Sequence, residues 1–330
     1  MNIPAEFDEI RPYTPEELPQ IFDELLADPA FQAVISLIMP GMPLDTLSHK
    51  LHQCKNNLEV QKTIFYPLLH QIIKEHSDGF TLNASSLTDK EKNYTFISNH
   101  RDIVLDPGFL SLGLLDNHFP TTVEIAIGDN LLIYPWIKKL VRVNKSFIVQ
   151  RALSMRQMLL SSARMSRYIH FAITQKKENV WIAQREGRAK DSNDRTQESV
   201  LKMLALGSTG DTIDYLKELN IVPTSLSYEY DPCDFLKAKE MQQKRDIENF
   251  KKSQQDDLTN MQTGIFGYKG KVYFQTAPCI NDELETLRGC PKNELFLKIA
   301  QLIDQHIHLN YRLYPGNYIC LLYTSPSPRD

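Results

Sequence analysis

Residues 15–76 carry apolar side chains at helical spacing, as in NLEVQKTIFYPLLHQIIKEH, where Val60, Ile64, Phe65, Leu68, Leu69, Ile72 and Ile73 recur three or four apart. That period lays one apolar stripe along a helix and predicts an N-terminal helical subdomain over 1–76. From about residue 77 the texture changes. Short apolar runs with β-branched or aromatic content read as strands: YTFIS (94–98), TTVEIAI (121–127), SFIV (146–149), NVWIA (179–183), IVPTSLSY (221–228) and KVYFQ (271–275). Between them, LSMRQMLLSSARMSRYIHFAI (153–173) puts Met155, Leu159, Ser162, Met165, Ile169 and Ala172 on one helical face. Strands alternating with helices predict an α/β domain over 77–319, a mixed sheet flanked by helices.

Two further helices follow from the pattern. FLKAKEMQQKRDIENFKKSQQDD (235–257) has only a thin apolar stripe through Leu236, Ile247 and Phe250, which predicts a solvated, projecting helix. PKNELFLKIAQLIDQHIHLN (291–310) opens on Pro and repeats apolar residues every three or four, which predicts a core-packed closing helix. The tail CLLYTSPSPRD (320–330) breaks the pattern abruptly and resembles one translated frame of a sequencing-library transposon adapter. That implies a native reading frame lost after Ile319, so the tail stays out of fold reasoning.

Charge narrows the partners. With 37 Lys+Arg against 41 Asp+Glu the net charge is -4, which supplies no basic field for general nucleic-acid binding. The longest apolar stretch, AVISLIMPGMPL (33–44), is broken by Pro40 and Pro43 and too short to span a bilayer. The acidic start MNIPAEFDEIRPYTPEEL lacks the basic-then-apolar order of a secretory signal, and this predicts a cytoplasmic protein. The five cysteines form no CxxC pair and read as reduced thiols. His49, His52 and Cys54 lie close together but lack a fourth ligand, so no metal is expected. Cys233 has no neighbouring His to activate it.

The chemistry concentrates at strand ends. ISNHRDIVLDP (97–107) follows a strand and offers His100 two carboxylates, Asp102 and Asp106. A carboxylate that accepts the imidazole Nδ1–H leaves Nε2 free to take a proton from an alcohol. Asp106 before Pro107 also reads as a helix cap. The HRD tripeptide is no kinase loop, since Pro107 stands where the Asn would be and neither a Gly-rich loop nor DFG occurs. VWIAQREGRAKD (180–191) runs off another strand into Glu186, Gly187, Arg188 and Lys190, a tight turn with two cations suited to a phosphate. RVNKSFIVQRA (142–152) ends a third strand at Arg151.

Taken in order, NHRDIVLDP, SFIVQR, REGR and IVPTSLSYE over residues 97–229 resemble the motif series of the glycerolipid acyltransferase family. The resemblance implies an αβ acyltransferase fold with a cleft at the strand ends. It implies His100 as general base, Asp106 as its partner with Asp102 as a rival, and Arg151, Arg188 and Lys190 as phosphate ligands. Glu186 and Gly187 would shape the loop, and the fourth block would line the acyl groove. The family usually places four residues between its His and Asp, where this chain has five.

The function so implied is O-acyl transfer in phospholipid synthesis, from acyl-CoA or acyl-carrier protein to a hydroxyl of a glycerol-phosphate or lysophosphatidate acceptor. No cofactor is expected, the thioester being a substrate. Lipid substrates imply a peripheral protein at the inner face of the membrane, with WIKKLVRVNK (136–145) offering Lys138, Lys139, Arg142 and Lys145 to anionic headgroups. The irregular His-to-Asp spacing keeps a rival open: a catalytically inactive lipid-binding or scaffold protein of the same fold.

Overall fold

A computed structural model describes residues 3–151, 154–191 and 193–324. Its strands are β1 (Phe80–Asn83), β2 (Thr95–Ser98), β3 (Val123–Gly128), β4 (Ser146–Val149), β5 (Asn179–Ala183), β6 (Ile221–Tyr228) and β7 (Val272–Thr276). They join in one sheet of order β1-β7-β6-β2-β5-β3-β4. From β6 to β4 the pairs are parallel, whereas β7 pairs antiparallel with β6 and parallel with β1. The sheet is therefore mixed, with β1 and β7 running against the other strands. Helices α1 (Leu18–Leu26), α2 (Pro29–Ile38), α3 (Leu44–Gln53), α4 (Asn57–Val60) and α5 (Tyr66–His76) precede it. Then come α6 (Leu105–Asp116), α7 (Pro135–Val143), α8 (Met155–Phe171), α9 (Glu198–Ala205) and α10 (Thr212–Glu218) between the parallel strands. Helices α11 (Asp234–Asp246) and α12 (Gln254–Phe266) lie between β6 and β7, and α13 (Asn281–Thr286), α14 (Lys292–Leu309) and α15 (Pro315–Thr324) close the chain. The last six residues of the adapter-like tail, 325–330, lie outside the described residues.

Period-two alternation puts neighbouring strand residues on opposite faces, and both faces are buried. Ile97, Val180 and Ile221 pack with Tyr168 and Ile169 of α8, Leu201 of α9 and Ile299 and Ile303 of α14. Phe96, Trp181 and Val222 pack with Leu105, Phe109 and Leu110 of α6 and Leu69 and Ile72 of α5. Helix α6 is buried on nearly every side, as a helix without a polar face must be. The N-terminal helices hold a third cluster, Leu18, Phe22, Phe31, Leu47 and Val60, onto which Trp136, Leu140 and Val143 of α7 also pack.

Three segments depart from the sequence reading. Strand β1 has no counterpart in it: of its four residues only Leu82 is buried, so it shows no run of apolar positions. The projecting helix is two helices. Helix α11 stops at Asp246, Asn249 takes a left-handed φ of 58°, and Ser253 with Asp256 forms a capping box that starts α12. Leu236 and Phe250 face the crevice between the two helices, and Lys237 and Glu240 are buried. The basic stretch 136–145 is largely structural. Arg142 is buried, donating to the carbonyls of Arg11 at 2.8 Å and Asp8 at 2.9 Å, and Lys145 is buried against Glu178 at 2.7 Å. Lys139 pairs with Glu24 at 2.8 Å, which leaves Lys138 as the exposed cation of the set. Among the described residues no helix is long and apolar enough to cross a membrane; α2 ends at Ile38, ahead of Pro40.

Candidate active site

The parallel strands β2, β4, β5 and β6 end at one edge of the sheet, so the segments that follow them, with His100, Arg151 and Glu186–Lys190, share that edge with Tyr228. In open α/β sheets this carboxyl edge is where ligands bind. Strand β2 is stopped by a side chain. The Asn99 amide donates to Leu226 O at 2.9 Å and accepts Leu226 N–H at 2.8 Å, imitating one more ladder rung and turning His100 out of the sheet.

The two aspartates divide the work of the loop. Asp102 Oδ1 accepts the N–H groups of Val104 and Leu105, each at 2.8 Å, and so caps α6. Asp106 lies in the first turn of α6 rather than in the extended conformation that Pro107 favours, because Pro is tolerated where no intrahelical donor is needed. Its carboxylate turns back: Oδ2 accepts His100 Nδ1 at 2.8 Å, Arg101 N at 2.6 Å and Asp102 N at 3.0 Å. The extra residue between His100 and Asp106 is taken up by this closed loop. Burial, then the charge of Asp106, raises Asp102 above the ordinary carboxylate range, against the two backbone donors that pull it down.

A carboxylate only accepts, so His100 donates from Nδ1 and presents Nε2 as a lone pair. No described residue bonds that Nε2. The ring stands edge-on to Trp181 at 5.4 Å, and Trp181 Nε1 donates to Ser98 Oγ at 2.9 Å, fixing the wall behind the imidazole. Such an oriented imidazole with a free Nε2 takes a proton from a hydroxyl placed against it.

The loop after β5 needs glycine at Gly187, whose φ is 69°. Glu186, Arg188 and Lys190 each have a partner among the described residues. Glu186 meets Arg151 at 3.4 Å, and Lys190 contacts Glu240 of α11. Arg188 is buried, with Nη2 on Asn260 Oδ1 of α12 at 3.1 Å and Nη1 without a partner among the described residues. Burial pulls Lys190 below its ordinary value despite Glu240, and Lys190 with Lys244 holds Glu240 below the carboxylate range against its own burial. The α11–α12 hairpin thus covers Arg188 and Lys190, whereas Arg151 stays exposed beside Glu186. Lys237 of α11 also reaches Arg101 O at 2.9 Å, tying the hairpin to the His100 loop.

An open apolar crevice, with a cavity volume of only about 80 Å³, adjoins the loop at Val104 and runs along Gly108, Ser111, Leu112 and Leu115 of α6, opposite Phe65 and Leu69. The fourth motif, 221–228, lines no part of it; β6 is buried in the sheet and contributes Tyr228 to Asp106 instead. Cys233 is buried, its thiol pushed up to about 11 by burial and then by Asp102. His49 bonds Gln53 while His52 bonds Asp23 and Ser48, and Cys54 donates to Lys50 O, so the three do not converge.

Sequence reasoning does not single out Asn99, Trp181, Tyr228, Lys237, Glu240 or Asn260. Asn99 and Tyr228 lie inside the motifs, but nothing in a linear string says that their polar atoms turn towards the loop.

No family model matches the chain, and no curated protein matches it. Among solved structures the chain is similar to the 1-acyl-sn-glycerophosphate (LPA) acyltransferase PlsC from Thermotoga maritima, at 13% identity and a TM-score of 0.43, over 91% of this chain and 100% of that one.

Proposed function

We propose that this protein is an O-acyltransferase of phospholipid synthesis, moving a fatty acyl group from an acyl-CoA or acyl-carrier-protein thioester to a hydroxyl of a glycerol-phosphate or lysophosphatidate acceptor. The observation that carries the reading is the His100 Nδ1–Asp106 Oδ2 bond of 2.8 Å at the carboxyl edge of the sheet, with Nε2 unengaged among the described residues. Nε2 takes the acceptor's hydroxyl proton as its oxygen attacks the thioester carbonyl. The tetrahedral adduct then expels the thiolate, which recovers the proton from the imidazolium, so no acyl-enzyme forms. Asp106 steadies the imidazolium, and Asp102 shapes the loop.

Arg151 and Lys190 at the rim, with Arg188 behind them, are the phosphate ligands in this reading. Glu186 and Glu240 must first give way, and a phosphate reaches Arg188 only with α12 displaced. The crevice along α6 takes the acyl chain, since its lining is mostly apolar. The protein works without a cofactor at the inner membrane face. Turnover of a labelled acyl thioester against a panel of glycerol 3-phosphate, lysophosphatidate and other lyso-lipids tests the reading. Lipid binding with no turnover on any acceptor favours the inactive scaffold instead.

A further inference from the structure

We propose that Tyr228 is a positioning residue of the His100–Asp106 pair, its hydroxyl fixing the carboxylate and moderating the charge that the imidazole meets. The inference rests on the reading of His100 as the base.

Asp106 is fully buried and its donors are unevenly divided. Oδ2 accepts from His100, Arg101 N and Asp102 N, while among the described residues Oδ1 accepts only from the Tyr228 hydroxyl, at 2.8 Å. Without that hydroxyl one buried carboxylate oxygen has no donor among the described residues, and the carboxylate is held through Oδ2 alone. Tyr228 is itself fixed. It is the last residue of β6, pairs with Val272 of β7, and sets its ring edge-on to Phe274 at 5.9 Å. Burial, then the charges of Asp106 and Asp102, pushes its phenol well above the ordinary value, so it stays a donor at any working pH.

The electrostatic consequence has a definite sign. A hydrogen bond to Oδ1 draws charge away from Oδ2 and weakens its hold on an imidazolium, so the bond favours the neutral imidazole that a base requires. The charged groups around this carboxylate include Asp102 in the same loop with Arg188 acting on it, Asp194 after β5 paired with Arg101, and Asp231 after β6 paired with Lys237, all of which Tyr228→Phe leaves in place.

The test is the titration of His100 by NMR in histidine-labelled full-length protein, which needs no substrate. Tyr228→Phe is expected to raise the His100 midpoint and to shift its Nδ1 proton resonance. The acid limb of kcat/KM should move up by the same amount. Tyr273→Phe, which deletes a like hydroxyl from the neighbouring strand where it donates to Gln275 at 3.0 Å, is expected to change neither. An unchanged His100 titration in a folded Tyr228→Phe protein overturns the proposal. If that variant does not fold, the wild type decides: a protected Tyr228 hydroxyl proton whose resonance responds to protonation of His100 supports the coupling, and one that does not respond overturns it. A shifted titration in a protein that transfers no acyl group upholds the positioning role while removing the acyltransferase reading.

Discussion

Asp102 Oδ1 accepts the backbone N–H of Leu105 at 2.8 Å, so the aspartate nearer His100 in sequence is spent on helix α6 and the farther one, Asp106, is left for the imidazole. The two carboxylates therefore fail differently when removed. Asp106→Asn should lower turnover by about 10²–10⁴-fold, the range of a lost acid–base function, and His100→Ala should abolish it. Asp102→Ala should cost about 1 kcal/mol of stability, as a lost helix cap does, with a much smaller effect on rate. Rates and melting temperatures measured together on all three variants decide it. An inactive, fully stable Asp102→Ala protein would reverse the assignment.

Lys190 and Glu240 give a second contrast. Glu240→Gln keeps the side chain's shape and drops its charge, so the KM for a phosphate-bearing acceptor should fall several-fold while that for the thioester stays put. Lys190→Ala should raise the same acceptor KM by about 10–100-fold, the worth of a charge-assisted contact. Arg188→Ala should act first on stability, by about 1–3 kcal/mol, because it strips Asn260 Oδ1 of its donor beneath α12. Steady-state kinetics in both substrates, beside denaturant melts, separate these. Equal changes in the two KM values for Glu240→Gln would count against Lys190 as a phosphate ligand.

How much of this is legible in the sequence depends on what decides each element. Strands β4, β5 and β6 are bounded correctly by their sequence because nearly all their residues are buried on both faces, and apolar, β-branched or small side chains fill most of those positions. Strand β1 is hidden because tertiary pairing with β7, not its own composition, makes it a strand. His100, Asp106 and Arg188 can be singled out since their neighbours in sequence carry the pattern. The role of α11 and α12 cannot: Glu240 meets Lys190 and Asn260 meets Arg188 across 50 and 72 positions of chain, which no local spacing encodes. The same holds for the basic stretch, where Arg142 and Lys145 look solvated in sequence and are buried by partners at Asp8, Arg11 and Glu178.

Those buried partners change the expectation for membranes. Vesicle binding that survives Lys145→Ala should keep its salt dependence, because Lys145 is not at the surface; the variant should instead lose about 3 kcal/mol of stability from a broken buried pair. Sedimentation with anionic liposomes across a salt series, alongside thermal melts, checks both halves. A folded, unweakened Lys145→Ala protein that no longer sediments would restore the basic stretch as the anchor.

Lys269 supplies a pH signature. It is fully buried, donates to Ile265 O at 3.0 Å and Gly267 O at 2.6 Å, and burial lowers it to about 8. Below that pH both folded and unfolded chains keep the proton and the penalty is fully present. Between about pH 8 and 10.4 the folded chain has released the proton that the unfolded chain still holds, so stability rises with pH, at most by about 1.4 kcal/mol per unit. Relative to Lys269→Met, which has no such titration, the wild type should gain stability across that window. Parallel stability curves for the two proteins would show that Lys269 titrates normally.

The crevice along α6 makes the acyl chain testable. Gly108 lines it, and a Cβ built there would sit 3.4 Å from Leu69 Cδ2 and 3.6 Å from Leu69 Cδ1, both side-chain atoms, so no backbone atom meets that Cβ and a larger side chain here takes up crevice space. Glycine inside a helix also costs roughly 0.5–1 kcal/mol relative to alanine, which partly offsets any crowding. Gly108→Leu should therefore fold, leave transfer from a short-chain thioester within about twofold, and lower transfer from a long-chain one by about tenfold or more, since each excluded methylene forgoes ~0.8 kcal/mol of burial. Gly108→Ala should fall between. Competition between short and long thioesters in one reaction measures the ratio directly. If the ratio is the same in all three proteins while the melts show that Gly108→Leu is accommodated, the acyl chain lies elsewhere and the crevice is only a packing gap between α5 and α6.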